Sequence, residues 1–330
     1  MISQRIIKRH FAGSNLVERN RVRMKIAIMG TGGVGGYYGA LLTRAGHEVT
    51  FIARGKHLEA IRQNGLEVKS VFGDFRVRPT LVTDNPALAG QVEMVIFATK
   101  TYHTEEAAEK ILPVIGPQTI VIPLQNGVDA AERIGAVIGR GHVVGGATWL
   151  SAAIEAPGVI GQYSQFRRIV IGEFDGNITP RAQAAQSALK STGGVVELVG
   201  NISQVLWTKF VFISAISALG AVTRVTIGEY RSVPETRLAL TGALNEVIAV
   251  AHARKIPLDA DILEKTLEFI DTSAPGIKPS MQRDMEAGRR SELESMIGIV
   301  VRFGEELGVP TPVMRLAYAA LKPGQLKAGN

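Results

Sequence analysis

A glycine-rich turn, a strand-end arginine and a lysine set in an otherwise uncharged helix are the parts of this chain best suited to bind and transform a small molecule. The turn is Gly30-Thr31-Gly32-Gly33-Val34-Gly35, in G-x-G-x-x-G spacing. Its first glycine permits a tight turn, its second lets backbone approach a pyrophosphate, and its third lets a helix pack against the preceding strand. The lysine is Lys209, the one charge in the nineteen residues from Val205 to Thr223. A cation in so apolar a stretch must be paired, reach water or serve a function. Desolvation lowers a lysine pKa and makes the group usable as an acid. The plainer alternative is a stem that packs and a head that reaches solvent.

The elements around the turn give it meaning. Lys25 to Met29 reads as a buried parallel strand, Tyr38 to Ala45 continues a helix that Gly46 stops, and Glu48 to Ala53 reads as a second strand. A helix N-terminus after the glycines offers free N–H groups to phosphates. This context predicts a dinucleotide site. An NAD-binding chain usually carries Asp or Glu at the tip of the second strand, for the ribose 2′-hydroxyl. Here the tip is Ile52-Ala53-Arg54-Gly55-Lys56. Arg54 is placed to grip a 2′-phosphate with its planar fork, and Lys56 to assist, which favours NADP(H). The alternative is two solvated surface cations.

Further along, Leu58–Gln63, Tyr102–Leu112, Asp129–Ile138 and Pro180–Lys190 read as helices, and Gly65–Val77 as a hairpin about Gly73-Asp74. Val92–Ala98, Thr119–Pro123, His142–Leu150, Val159–Tyr163, Arg168–Gly172 and Val195–Val199 read as strands. The alternation predicts an α/β fold with an open, mainly parallel, Rossmann-type doubly wound sheet over residues 24–200. Past Asn201 strand signals nearly vanish, and Gln204–Ala221, Glu235–Arg254, Asp259–Phe269 and Glu292–Leu307 read as helices. Residues 201–330 are therefore expected to form an all-helical domain. Ser291-x-x-Glu294 has capping-box spacing, and Pro323–Asn330 reads as a frayed end. Ligands of open parallel sheets sit beyond the carboxyl ends of the strands. Gly30, Arg54, Lys100 and Asn126 all fall there. Lys100 suits a phosphate or substrate charge, and Asn126 the nicotinamide end or a substrate oxygen. Read singly, the one is a solvated cation and the other part of an Asn-Gly turn.

Length and composition set the outer bounds. The 330 residues suffice for two domains with real cores, and 46% of them are hydrophobic. There is no cysteine, which excludes disulfides, thiol catalysis and Cys-ligated metals and fits a cytoplasmic protein. The net charge of +7 is uneven: Arg5, Lys8, Arg9, Arg19, Arg21 and Arg23 outnumber Glu18 by five, leaving +2 on the remaining 306 residues. That body is nearly neutral, so nucleic-acid binding is not indicated. The longest apolar runs are interrupted, and none reads as a membrane span. Residues 1–23 read as a disordered basic extension or as the product of a start codon set too early, more plainly than as a transit peptide. Oligomeric state is left open, a homodimer among the options.

Taken in order, these features resemble the ketopantoate reductase (2-dehydropantoate 2-reductase) family. The resemblance runs from Met24 to about Thr311. It is carried by the glycine turn, Arg54, Lys100, Asn126-Gly127, Trp207-Thr208-Lys209, Ser280-Met281 with Asp284, and Glu292. It implies NADPH-dependent reduction of ketopantoate, a small 2-oxoacid, to D-pantoate on the route to pantothenate. It further implies that Lys209 is the general acid and Glu292 orients or tunes the site. Asn126 and Ser280 are to contact substrate and cofactor, and Lys100 to help hold the cofactor. Hydride arriving at a ketone creates an alkoxide, which a nearby ammonium stabilises and protonates. Family members commonly carry asparagines four and eight residues after that lysine; here these positions are Ile213 and Ser217. Ser217 keeps a hydroxyl for substrate, whereas Ile213 offers no hydrogen bond, which puts the substrate's identity in question. The alternatives are reduction of another 2-oxoacid on the same fold, or a non-catalytic NADP(H)-binding sensor.

Overall fold

The computed structural model of the chain describes residues 23–328. The basic extension therefore lies, apart from Arg23, outside the described residues. The glycine turn joins β1 (Lys25–Met29) to α1 (Gly33–Arg44), and β2 (Glu48–Ile52) follows a left-handed Gly46 at φ +95. Next come α2 (Gly55–Asn64), the antiparallel hairpin β3 (Leu66–Ser70) and β4 (Phe75–Val77), and β5 (Leu81–Thr83). The first half continues with β6 (Val92–Phe97), α3 (Thr104–Ile111), β7 (Ile115–Pro123) and α4 (Ala130–Ile138). β5, β2, β1, β6 and β7 lie in that order in one wholly parallel sheet. Alternate side chains explain why both faces are buried. Ile26 and Ile28 join the core under α1, whereas Ala27 and Met29 join the core shared with α3 and α4.

β8 (Gly145–Trp149), β9 (Ala152–Ala156), β10 (Val159–Gln162), β11 (Arg168–Gly172), α5 (Pro180–Lys190) and β12 (Val195–Leu198) complete this half. The parallel sheet was expected; the fate of these later strands was not. They form two further sheets, ordered β4-β3-β10-β9 and β12-β11-β8. The split depends on pairings between distant segments, such as β10 alongside β3, which no local pattern records. β9 and β5 escaped the sequence reading for a simpler reason. β9 is a mostly exposed Ala-Ala-Ile-Glu-Ala edge strand, and β5 has three residues.

The remainder is helical, with no strand among described residues 201–328. α6 (Ile202–Thr223) is capped by the Asn201 side chain, which accepts from the Gln204 N–H. By length and composition alone α6 is long and apolar enough to cross a membrane. Here it is the central helix of the second core. Around it lie α7 (Ile227–Ser232), α8 (Pro234–Ala253), α9 (Ile262–Thr272), α10 (Ser280–Glu286), α11 (Ile299–Leu307) and α12 (Pro312–Ala328). Two sequence expectations fail in this half. The Ser291/Glu294 capping box does not form: the Ser291 hydroxyl is buried without a partner, and Glu294 turns to Arg302, Tyr318 and Lys322. Three partners on later helices outcompete one local N–H, and the chain enters α11 through a π-helical turn, Glu294–Gly298. The expected frayed end is instead part of α12, which runs through Pro323 to Ala328. The buried Glu246 carboxylate on α8 caps that helix, accepting from the Val313 and Met314 N–H groups at 2.7 and 2.9 Å.

Candidate active site

The strand order places a switch point between β1 and β6, because the chain builds outward through β2 on one side and β7 on the other. The glycine turn follows β1 and closes one wall of this crevice. Gly30 has φ +94, and a Cβ there would meet the Thr99 nitrogen at 2.8 Å. A Cβ on Gly35 would lie 2.1 Å from the Gly30 oxygen, so only glycine lets α1 start so close to β1. Gly32 differs: a Cβ there would meet nothing within 4 Å. The turn is thus open at Gly32, beside a head of α1 whose first N–H groups have no intrahelical partner. Thr31 is pinned instead to the end of β2, its N–H and hydroxyl both donating to the Ile52 carbonyl at 3.3 and 3.0 Å. This shape and these free donors fit a pyrophosphate.

Arg54 lies exposed at the end of β2, at the head of α2, and donates to Nε2 of His103 at 3.2 Å. Lys100 follows β6 and reaches across to the helical half. Its ammonium donates to Oδ2 of Asp284 at 2.7 Å and lies 3.9 Å from Oε2 of Glu292. Burial alone would lower its pKa, but the negative charges of Glu292 and Asp284 outweigh burial and raise it. Asp284 also accepts from Arg289 at 2.8 Å. Lys100, read from sequence as a cofactor ligand, is thus in this form an ionic tie between the halves.

Asn126 follows β7, and its Oδ1 accepts from the Lys209 ammonium at 3.0 Å. Lys209 projects from α6 into the crevice, with its Nζ 5.8 Å from the Trp149 ring centroid. Burial pushes its pKa down from 10.5 to about 8, while the charge of Glu292 acts the other way. Glu292 is itself buried, and Oε1 accepts from the Thr101 N–H at 2.9 Å. Arg133 braces that loop from behind, donating to the Thr101 carbonyl at 2.8 Å and to both oxygens of Glu105. Gln125 ties the ends of β6 and β7 together through Thr99 and Thr104. The fold therefore brings Lys209, Glu292, Asn126 and Lys100 to one cleft from positions far apart in sequence. Such a cleft can protonate an oxygen that gains negative charge.

Profiles of known families and comparison with other chains agree with this geometry. Residues 26–176 match the ketopantoate reductase PanE/ApbA family, and residues 201–325 match its C-terminal domain. The 2-dehydropantoate 2-reductase of Porphyromonas gingivalis W83 is 33% identical in sequence, covers 91% of this chain and all of its own, and superposes with a TM-score of 0.79. The chain belongs to the ketopantoate reductase family. A PanE/ApbA family ketopantoate reductase of Ralstonia eutropha JMP134 is 29% identical over 93% of this chain and all of its own, with a TM-score of 0.86. An uncharacterised Bacillus subtilis oxidoreductase, YkpB, is 29% identical over 91% of this chain and 98% of its own. The protein is thus a member of a family of 2-dehydropantoate 2-reductase-like oxidoreductases.

Within that family frame, Ser280 is the first residue of α10, the helix that carries Asp284, while Ser217 is buried on α6 at 1% exposure. Ile213 packs against the second core. Sequence reasoning assigned no role to Trp149, Thr101 or His103. Only proximity to a strand end could have singled them out, and that signal is shared by every loop of the sheet.

Proposed function

We propose that the protein reduces a small 2-oxoacid with NADPH, ketopantoate being the leading substrate and D-pantoate its product. The observation that carries this reading is the Lys209 ammonium, held by Asn126 at 3.0 Å with its pKa lowered to about 8, beside the dinucleotide crevice. The nicotinamide cofactor, when bound, supplies the hydride. The chain's residues do the rest. The head of α1 and the glycine turn take the pyrophosphate, and Arg54 takes the 2′-phosphate. The Asn126 amide aims the Lys209 Nζ. As the carbonyl carbon is reduced, its oxygen gains negative charge; Lys209 stabilises that charge and gives up its proton. Glu292 counters the desolvation of the ammonium and keeps it charged near neutral pH. Ser280 and Asn126 face the substrate, and Lys100 exchanges Asp284 for cofactor or substrate as the cleft fills. The reading includes a cytoplasmic enzyme with no nucleic-acid or membrane partner.

A second reading is supported by Ile213. One helical turn beyond Lys209, it offers methyl groups where an amide would orient a polar substrate, which favours a 2-oxoacid with an apolar side chain. A non-catalytic sensor has no use for both Lys209 and Glu292. NADPH oxidation assayed against ketopantoate and a panel of linear, branched and aromatic 2-oxoacids separates the three. The highest kcat/KM with ketopantoate supports the first reading, and the highest with an apolar 2-oxoacid the second. No turnover on any of them sinks the enzyme assignment.

A further inference from the structure

The sequence gives Arg54 a plain partner, the 2′-phosphate, but the structure gives it another, His103. β2 and β6 flank β1, so Arg54, after β2, and His103, in the short turn after β6, meet over the end of β1 beside the glycine turn. An arginine only donates, so the His103 Nε2 that faces it at 3.2 Å must be the accepting nitrogen. The ring proton therefore sits on Nδ1, which donates to Oε2 of Glu106 at 3.1 Å. A ring lone pair thus points at the Arg54 guanidinium.

We propose that His103 is the proton-accepting half of a two-residue clamp for the cofactor's 2′-phosphate, so that NADPH binding, unlike NADH binding, draws a proton onto this imidazole. The inference rests on the NADPH reading of Arg54. A phosphate that engages the guanidinium fork brings its oxygens against the Nε2 lone pair, acceptor against acceptor. Protonation of Nε2 removes the conflict: the imidazolium donates to phosphate through Nε2 and keeps its Nδ1 bond to the Glu106 carboxylate. A ribose 2′-hydroxyl creates no such conflict, because it can donate to the neutral Nε2. One side chain thus suits either cofactor, depending on its protonation, and the preference between them follows pH.

The surrounding charges are set for this exchange. From the head of α2 comes Arg54, which opposes the imidazolium until phosphate neutralises it. From α3 come Glu106, which favours the imidazolium, and Lys110, which donates to the other Glu106 oxygen at 2.6 Å. On its own turn, Lys100 is committed to Asp284, and the Tyr102 ring stands edge-on with centroids 4.8 Å apart. The Arg290 guanidinium lies 4.3 Å from the Tyr102 ring centroid. The His103 side chain is 30% exposed, so it exchanges protons with solvent.

Calorimetric titration of the full chain with NADPH and with NADH, in two buffers of different ionisation enthalpy, counts the protons taken up. At about pH 7.5 the phosphate's own second ionisation, near 6, is nearly complete and contributes little. The expected result is net proton uptake with NADPH and none with NADH. The ratio of the two Kd values should move toward NADPH as pH falls from about 8 to about 7, within the pH 5–8 span where histidine changes charge. His103→Gln presents an amide N–H without needing a proton, so it should abolish the uptake and flatten the ratio over that span while leaving the melting temperature unchanged. Equal proton uptake in wild type and His103→Gln would overturn the proposal. So would an equal loss of NADPH and NADH affinity in the variant, since that marks the ring as an adenine platform. A wild type that prefers NADPH without proton uptake refutes His103 alone. Equal Kd values for both cofactors at every pH refute the Arg54 reading as well.

Discussion

Lys209→Ala separates a catalytic lysine from a packed one, because the structure gives the two readings opposite signatures. The wild-type ammonium is held with its pKa lowered from 10.5 to about 8. At about 1.4 kcal/mol per pKa unit, charging it in the folded state costs roughly 3 kcal/mol. Removing the side chain relieves that cost but gives up buried methylenes, worth about 0.8 kcal/mol each, or roughly 2–3 kcal/mol for the stem. The two nearly cancel, so the variant should melt close to wild type. Turnover should instead fall by about 10²–10⁴, the usual contribution of a positioned acid. The pH dependence supplies a second check. With the folded pKa below the unfolded one, the penalty is complete below about 8 and disappears as pH rises toward 10.5. Wild-type stability relative to Lys209→Ala should therefore increase across that interval. Wild-type reduction rate should fall above about 8, as the acid is lost. Steady-state NADPH oxidation and thermal melts on the same samples read all of this. A folded Lys209→Ala with near-normal turnover on the best substrate, or a wild-type rate flat through this range, would refute the acid role.

Other substitutions probe the parts around it. Arg54→Ala should erase most of an NADPH preference of at least ~10-fold, or about 1.4 kcal/mol; equal wild-type Kd values for NADPH and NADH would refute the phosphate role. Glu292→Gln removes the charge that supports the Lys209 ammonium. The falling limb of the pH–rate profile should move to lower pH, with a smaller rate loss than Lys209→Ala; an unmoved profile would show that Glu292 does not tune the lysine. Gly32→Ala and Gly35→Ala should part company. The first meets nothing within 4 Å and should fold normally but bind cofactor weakly, whereas the second drives a methyl into the Gly30 carbonyl and should lower the melting temperature markedly. Similar melts and similar NADPH affinities for the two would contradict the division of labour in the turn.

Much of the nucleotide half was legible from local pattern. The glycines fix their own turn by sterics, the apolar runs of β1, β6 and β7 fix buried strands, and Arg54 is found by counting from the turn to the next strand end. The helical character past Asn201 follows equally from the loss of alternating runs. What local pattern misjudged were contests between near and distant partners. Ser291 and Glu294 have capping-box spacing, but Glu294 found Arg302, Tyr318 and Lys322 on other helices. β9 is too short, alanine-rich and exposed to announce itself, yet it covers Gly33, where a Cβ would lie 2.3 Å from the Ala152 oxygen.

The sequence by itself determined the chemical parts: a turn that only glycine can make, a strand end that carries arginine instead of an acid, and one lysine on an apolar helix. These are properties of backbone sterics, side-chain charge and hydrophobic period, all written within a few residues. The tertiary structure alone decided how the parts act on one another. Lys209 meets Asn126 across 83 residues of chain, and the Thr101 N–H meets Glu292 across 191. Arg54 meets His103 because β2 and β6 both flank β1. Proton affinity, ion pairing and desolvation depend on which charges end up within a few ångströms, and that proximity is set by the packing of the two halves.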